Sequence, residues 1–476
     1  MNSFHRMTVL SEGQVEKIRG ATEDIMETVG VCVQHEALLR AAKNAGARVD
    51  EGSGRVRIPA PLFRELLARV PQRVTLRGIL DEGWEMGGNE QRIISIVTDP
   101  WIVDYQTQRP RRPCLEDLRR HTIITQKLDS VVGVSRMDFP VTDVADATSS
   151  LRALEVHLLN HVKHYLVLPA TVESFQQWME IGRILSRGRG LSGLMTVGIA
   201  VVSPLTLDRL NSELLVRAVE ERLTVVPTIC PIAGSTAPYS LASVLLQGNV
   251  EALMIAALAQ MLRLGTSFIH AMGLSVADMR TGHDLYYTMD KVLWKTAGVQ
   301  LGLSYGMPTQ AECGGSLTYR YDQQSGAEGM LFMLGAHTSG VHVLAGIGSC
   351  HNANGMSAEM MIIQTAYLEA ARFLARGIDT SDLRLGVDSI KRVGPGGHFM
   401  TDDLTLALLR SGEFFSNDIF DFSGGYRDSK SMLERAHERV EELVAGYESP
   451  VPGDVQEGLR RHFRDLYVSM GSKGCP

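Results

Sequence analysis

From about Val131 onward the chain alternates short, almost uninterrupted apolar runs with longer amphipathic segments, and this alternation limits the fold more than any other feature. The runs are "VVGVSRMDFP", "HYLVLPA", "LMTVGIAVVSP", "RLTVVPTICP", "TSFIHAMG", "GMPTQAECGG", "GVHVLAGIGSC" and "IKRVGPGGHF". Segments such as "DATSSLRALEVHLLNH", "VEALMIAALAQMLRL" and "EMMIIQTAYLEAARFLARG" lie between them. Strands that are apolar on both faces need cover on both sides, and parallel strands obtain it from the helices that connect them. Eight such units predict a closed (β/α)8 TIM barrel over residues 91–476, with a doubly wound open sheet as the rival. Residues 1–90 read differently: "LSEGQVEKIRGATEDIMETVG" and "QHEALLRAAKNAGA" have helical spacing and stop at glycine, and "RVRIPAPLFRELLARVP" adds a short strand and a third helix. A helical N-terminal extension is expected there.

A barrel of this kind places its chemistry at the C-terminal ends of its strands. Asp138, Ser203, Cys230, His270, Glu312, His351 and His398 fall at or just past those ends. Three chemistries can be weighed against them. Glu312, Cys313, Cys350, His351 and His398 hold zinc-type ligands, but no pair has a recognised ligand spacing, and small buried cysteines with loop histidines account for them as well; no protein-bound metal is predicted. "GPGGHF" suggests a phosphate cradle but lacks the lysine and hydroxyl of a P-loop, so a tight turn letting backbone pass close to a ligand fits it better. The third is a cation pocket. Trp101, Tyr105, Tyr239, Tyr286, Tyr287, Tyr319 and Tyr321 lie in or beside loops, and aromatic faces joined to carboxylates such as Glu312 and Asp278 attract a quaternary ammonium ion. Each tyrosine taken singly also fits the edge of a core.

Composition narrows the partners. The 47 basic and 54 acidic residues give a net charge of −7 with no basic block, which argues against nucleic acid. The six cysteines are scattered without a CxxC pair, as expected of reduced thiols in a cytoplasm. The N-terminal stretch has no apolar secretion core and no run of about 18 apolar residues stands out, so neither export nor a membrane span is expected.

The motifs "SPL" (Ser203–Leu205), "GSTAP" (Gly234–Pro238), "QGNVEAL" (Gln247–Leu253), "ADMRTG" (Ala277–Gly282), Gly314–Gly315, the D-x-Q-x-G-x-E of Asp322, Gln324, Gly326 and Glu328, and "VGPGGHF", together with N-terminal "ETVGV", "AGARVD" and "RVRIPAPL", resemble the trimethylamine methyltransferase family over nearly the whole chain. The resemblance implies a (β/α)8 barrel that moves a methyl group from a methylated amine to the cobalt of a corrinoid on a separate small protein, commonly as a homo-oligomer. Archaeal members carry pyrrolysine in the region of Gly314 and Gly315; standard residues there imply the non-pyrrolysine branch, whose members act on quaternary amines such as glycine betaine. On this footing Glu312 and Asp278 are the expected catalytic carboxylates, with Glu312 as a countercharge. Trp101, Tyr105, Tyr239 and Tyr319 are expected around the amine. Arg280, His351 and Asn352 are expected on a betaine carboxylate, with Arg320 a further candidate, and Gly314, Gly315, Gly396, Gly397 and His398 are expected to face the corrinoid. Asp322 to Glu328 either tie the preceding loop to the next helix or serve that helix as cap and first-turn charge. Departures from the family's pattern at Lys163–His164, Thr288–Asp290 and Asp403–Thr405 leave two rivals open: a tetrahydrofolate-dependent demethylase, and a barrel that only binds a quaternary amine.

Overall fold

The computed structural model describes residues 6–96, 99–135, 141–145 and 147–472. Asp138 lies outside the described residues.

The centre is a seven-stranded sheet in the spatial order Thr224–Thr228, Met195–Ala200, His164–Val167, Val131–Ser135, Arg92–Ile96, Val343–Ala345, Gln310–Glu312. Every neighbouring pair is parallel. This corrects the closed eight-stranded TIM barrel: the sheet is open. Two of the eight expected strands are not strands. "TSFIHAMG" sits between the two edges of the sheet and makes only single bridges, Phe268 to Val225 and His270 to Thr309. Pro227 and Pro308 on the flanking segments offer no N–H, which interrupts any longer ladder there. "IKRVGPGGHF" begins in the helix Val387–Val393, ends at Gly394 in a left-handed conformation (φ 67°), and continues as an exposed turn. Arg92–Ile96, an apolar run not expected as a strand, takes a central place instead.

One end of the sheet is closed by a hairpin. Val74, Leu76 and Met86 of Val74–Leu76 and Trp84–Met86 form one buried cluster with Ile94, Leu166, Val226, Ile269 and Val343. Burial of each such side chain contributes about 1.5–3 kcal/mol. Arg77 locks the hairpin down: its backbone N–H donates to Gly193 O at 2.8 Å and its guanidinium to Ser192 O and Gly190 O.

The N-terminal helices Glu12–Thr28, Glu36–Ala45 and Ala60–Ala68 pack on the long helix Leu241–Leu262 and share its core, with Met26, Leu38 and Phe63 beside Leu253 and Met254. A small sheet accompanies them, with Val31–Val33 between Thr206–Leu207 and Arg55–Arg57. Among the described residues Leu241–Leu262 is the one helix long and apolar enough to cross a membrane, and 72% of that stretch is buried in the fold. Large exposed apolar side chains gather instead in residues 378–426, among them Ile378, Met400, Phe414 and Tyr426.

Candidate functional site

At the C-terminal ends of the strands a cavity of about 280 Å3 is lined by Thr228, Ile229, Cys230, Ala271, Met272, Gly273, Tyr286, Gln310 and Glu312. Strand alternation puts the side chains of Gln310 and Glu312 on the same side of their strand, and Ala311 between them also borders the cavity. The helix Asp290–Ser304 carries Lys291 and Lys295 one turn apart, so both ammonium groups reach the same place. Each Nζ comes to Glu312 Oε2, at 3.4 and 3.3 Å. The lysines are 1% and 5% exposed, and neither Nζ nor Oε2 has a hydrogen bond of good geometry. Glu312 Oε1 accepts from the Tyr286 hydroxyl at 2.5 Å, and the Lys291 ammonium lies on the face of the Tyr286 ring.

The charges follow from this geometry. Burial would raise the Glu312 carboxyl, but Lys291, Lys295 and the Tyr286 hydroxyl outweigh it and hold it at about 2. The cavity wall therefore carries a carboxylate ionised at neutral pH, 26% exposed. Burial lowers Lys291 to about 7, against the attraction of Glu312 and with repulsion from Lys295. Burial likewise lowers Lys295 and pushes the Cys230 thiol up to about 11.

Tyr286 is held from two sides. Its backbone N–H donates to Asn352 Oδ1 at 2.7 Å, and Asn352 Nδ2 donates to Asp284 O at 2.6 Å. Asn352 is aimed this way by three successive left-handed residues, His351, Asn352 and Ala353 (φ 51°, 54° and 60°), a costly conformation for side-chain-bearing residues and one often found beside functional sites. The Asn352 amide thus fixes a hairpin. His351 meets Trp101 and Tyr319 edge-on, with ring centres 6.5 and 5.5 Å apart, and Arg112 covers one face of Trp101 at 3.9 Å.

The remaining expected residues lie outside the cavity lining. Asp278 and Arg280 lie at the tip of the hairpin between Ser275–Ala277 and Asp284–Leu285, where the Asp278 carboxyl accepts from the Arg280 N–H and the Thr281 hydroxyl and is lowered by both. Tyr239 is exposed beside Met279. Tyr105 stacks on His437 of the helix Met432–Val444 at 3.6 Å. Arg320 pairs with Asp322 on the surface. Gly396, Gly397 and His398 lie in the exposed turn after Val387–Val393, outside the cavity lining. Gly314 and Gly315 follow Cys313, just after Glu312, but the space a side chain would need is filled by Gly346 O and Gln364 in one case and by the Tyr287 ring in the other. Among the described residues no three His, Cys, Asp or Glu side chains come together as a metal site.

Asp322 caps the helix Gln323–Thr338 by accepting from Gln324 and Ser325 N–H. Glu328 does more than suit the helix dipole: it accepts from Ser316 Oγ at 2.8 Å, Leu317 N–H at 2.9 Å and Gln324 Nε2 at 2.9 Å, tying the loop after Glu312 to the helix. Glu328→Ala is expected to cost about 1–3 kcal/mol in urea unfolding, because buried donors lose their acceptor. "SPL" and "QGNVEAL" belong together in the same way, with Glu251 accepting from Ser203 Oγ at 2.7 Å and Leu205 N–H at 3.1 Å. Sequence reasoning missed Lys291, Lys295 and buried Asp99, whose carboxyl burial pushes up to about 8. The available clue was that both lysines share a helix face with Gly298 and Gly302 and not with a charged stripe.

Residues 1–467 match the family described as Trimethylamine methyltransferase (MTTB). A glycine betaine methyltransferase of Desulfitobacterium hafniense (strain Y51) is 27% identical over 455 residues, 94% of each chain. A trimethylamine methyltransferase MttB of Desulfitobacterium hafniense (strain DSM 10664 / DCB-2) is 22% identical over 459 residues, 94% of this chain and 92% of that one. The crystal structure of the Methanosarcina barkeri monomethylamine methyltransferase aligns with 97% of this chain and 89% of its own at a TM-score of 0.49 and 12% identity. The likeness to the betaine enzyme agrees with the standard residues at Gly314 and Gly315, as in the non-pyrrolysine branch. With a match running from residue 1 to residue 467, the chain belongs to the trimethylamine methyltransferase family.

Proposed function

We propose that this chain takes a methyl group from a quaternary or otherwise cationic methylated amine of the betaine class and passes it to the cobalt of a corrinoid held by a separate protein. The observation that carries the reading is the ionised Glu312 carboxylate in the wall of a small cavity, beside Tyr286 and the apolar Met272. A quaternary nitrogen donates no hydrogen bond, so charge and soft or aromatic surface have to hold it. Its positive charge already makes the departing amine neutral, and no proton has to be delivered to it. A cavity of about 280 Å3 suits a small amine and is too small for a corrinoid ring, which would have to stay outside it. When bound there, the corrinoid supplies the Co(I) nucleophile. The protein's share is orientation and the exclusion of water: Glu312 and Tyr286 fix the nitrogen, and Asn352 and Glu328 hold the loops that carry the wall.

The test is to mix the protein with Co(I) corrinoid and a panel of betaines and methylamines and to follow the methyl-Co(III) spectrum. Methylation with at least one quaternary amine is expected; none across the panel contradicts the reading, and methyltetrahydrofolate formed without corrinoid selects the folate alternative.

A further inference from the structure

Two buried ammonium groups share one carboxylate oxygen in this site, and the amine proposed above would need the same carboxylate. We propose that a cationic amine enters the cavity in exchange for a proton: one of Lys291 and Lys295 gives up its proton to solvent as the amine binds, so that one ammonium and one substrate cation share Glu312. This rests on the amine-binding reading.

The charge count carries the argument. With both lysines protonated the cluster has two positive charges and one negative, and a further cation would meet net repulsion in a place with little water to screen it. Among the described residues no second carboxylate pairs with either lysine to relieve this. Facing Lys291 are Glu312 from its strand, Lys295 from its own helix, Tyr286 and Tyr287 from the preceding loop, and Cys230 from the loop after Thr224–Thr228. Facing Lys295 are Glu312, Cys313, Tyr287 and the apolar ring of Phe332. Asp284, the nearby carboxylate of the hairpin, has no ion pair with either lysine among the described residues. The two Nζ atoms lack well-formed hydrogen bonds, so each ammonium is held chiefly by the charge of Glu312, which a single remaining ammonium would still pair. Burial, opposed by Glu312 and aided by Lys295, already places Lys291 at about 7, where a nearby cation can tip it.

Linkage gives the sign. If cation binding expels a proton, raising the pH strengthens binding until the lysine is neutral without help. Titration calorimetry of the full chain with tetramethylammonium chloride, in buffers of different ionisation enthalpy at constant ionic strength, reads this directly. About one proton released per cation is expected at pH 6 and almost none at pH 8.5, with Kd falling about tenfold over that range. Lys291→Met, which keeps the length and removes the charge, is expected to bind tetramethylammonium with no proton release and a flat pH profile; the wild-type proton count stands even if this variant folds poorly. Binding by the wild type at pH 6 without proton release overturns the exchange and leaves the amine reading intact. No binding of tetramethylammonium or glycine betaine at any pH overturns both.

Discussion

Glu312→Gln is expected to lower methyl transfer by at least about a hundredfold and to destabilise the fold by about 3 kcal/mol or more. Both effects come from one carboxylate. On the cavity side it is the negative charge available to a bound cation. On the other side it is the counter-ion of Lys291 and Lys295, which are 1% and 5% exposed. Removing one partner of a buried ion pair leaves an uncompensated charge, and here it leaves two of like sign. The acid limb of stability identifies the residue. The Glu312 carboxyl is held at about 2 against an ordinary 4.5, so the unfolded chain binds more protons between those values. Its contribution is complete above about pH 4.5 and is lost as pH falls toward about 2. Urea unfolding followed against pH should show this limb in the wild type and a shallower one in Glu312→Gln. Lys291 acts at the other end: with its folded value near 7 below the ordinary 10.5, stability should rise with pH across that interval and stop doing so in Lys291→Met.

Gly315→Ala is expected to cost about 3 kcal/mol and to reduce kcat/KM together with stability. Gly315 has φ +125°, a region that side-chain-bearing residues rarely adopt, and an added Cβ would lie 2.3 to 2.6 Å from three carbons of the Tyr287 ring. That ring has nowhere to go, since its hydroxyl donates to Ser349 Oγ at 3.0 Å and its neighbour Tyr286 holds Glu312. Gly265→Ala is the control. It has a similar left-handed demand, φ +79°, with nothing within 4 Å, and strain alone should cost about 1 kcal/mol. Equal losses at the two positions would show that the Tyr287 contact contributes nothing.

The strands Val131–Ser135, His164–Val167, Met195–Ala200 and Thr224–Thr228 were legible because runs buried on both faces leave a plain apolar record. Arg92–Ile96 is just as apolar, but it stands before the regular alternation begins, so the alternation does not mark it. Closure of a ring was not legible at all. It depends on whether a five-residue segment such as 267–271 can bond continuously on both sides, and Pro227 and Pro308 on its neighbours decide that against a ladder. "VGPGGHF" carries the family resemblance by its order in the chain, and order says nothing of distance; its residues belong to an exposed turn. Glu312 stands out in the sequence because it falls at the end of one of the expected strands, where a barrel carries its chemistry. Lys291 and Lys295 escaped because a lysine on a helix ordinarily reads as a solvated face, and only the packing of Tyr286, Tyr287 and Phe332 over them shows otherwise.

The most direct check on the account is a structure of this protein grown with saturating glycine betaine. The quaternary nitrogen is expected inside the cavity at the ends of Thr224–Thr228 and Gln310–Glu312, against the Glu312 carboxylate and Tyr286. An amine bound elsewhere on the molecule, with this cavity holding only water, would contradict it.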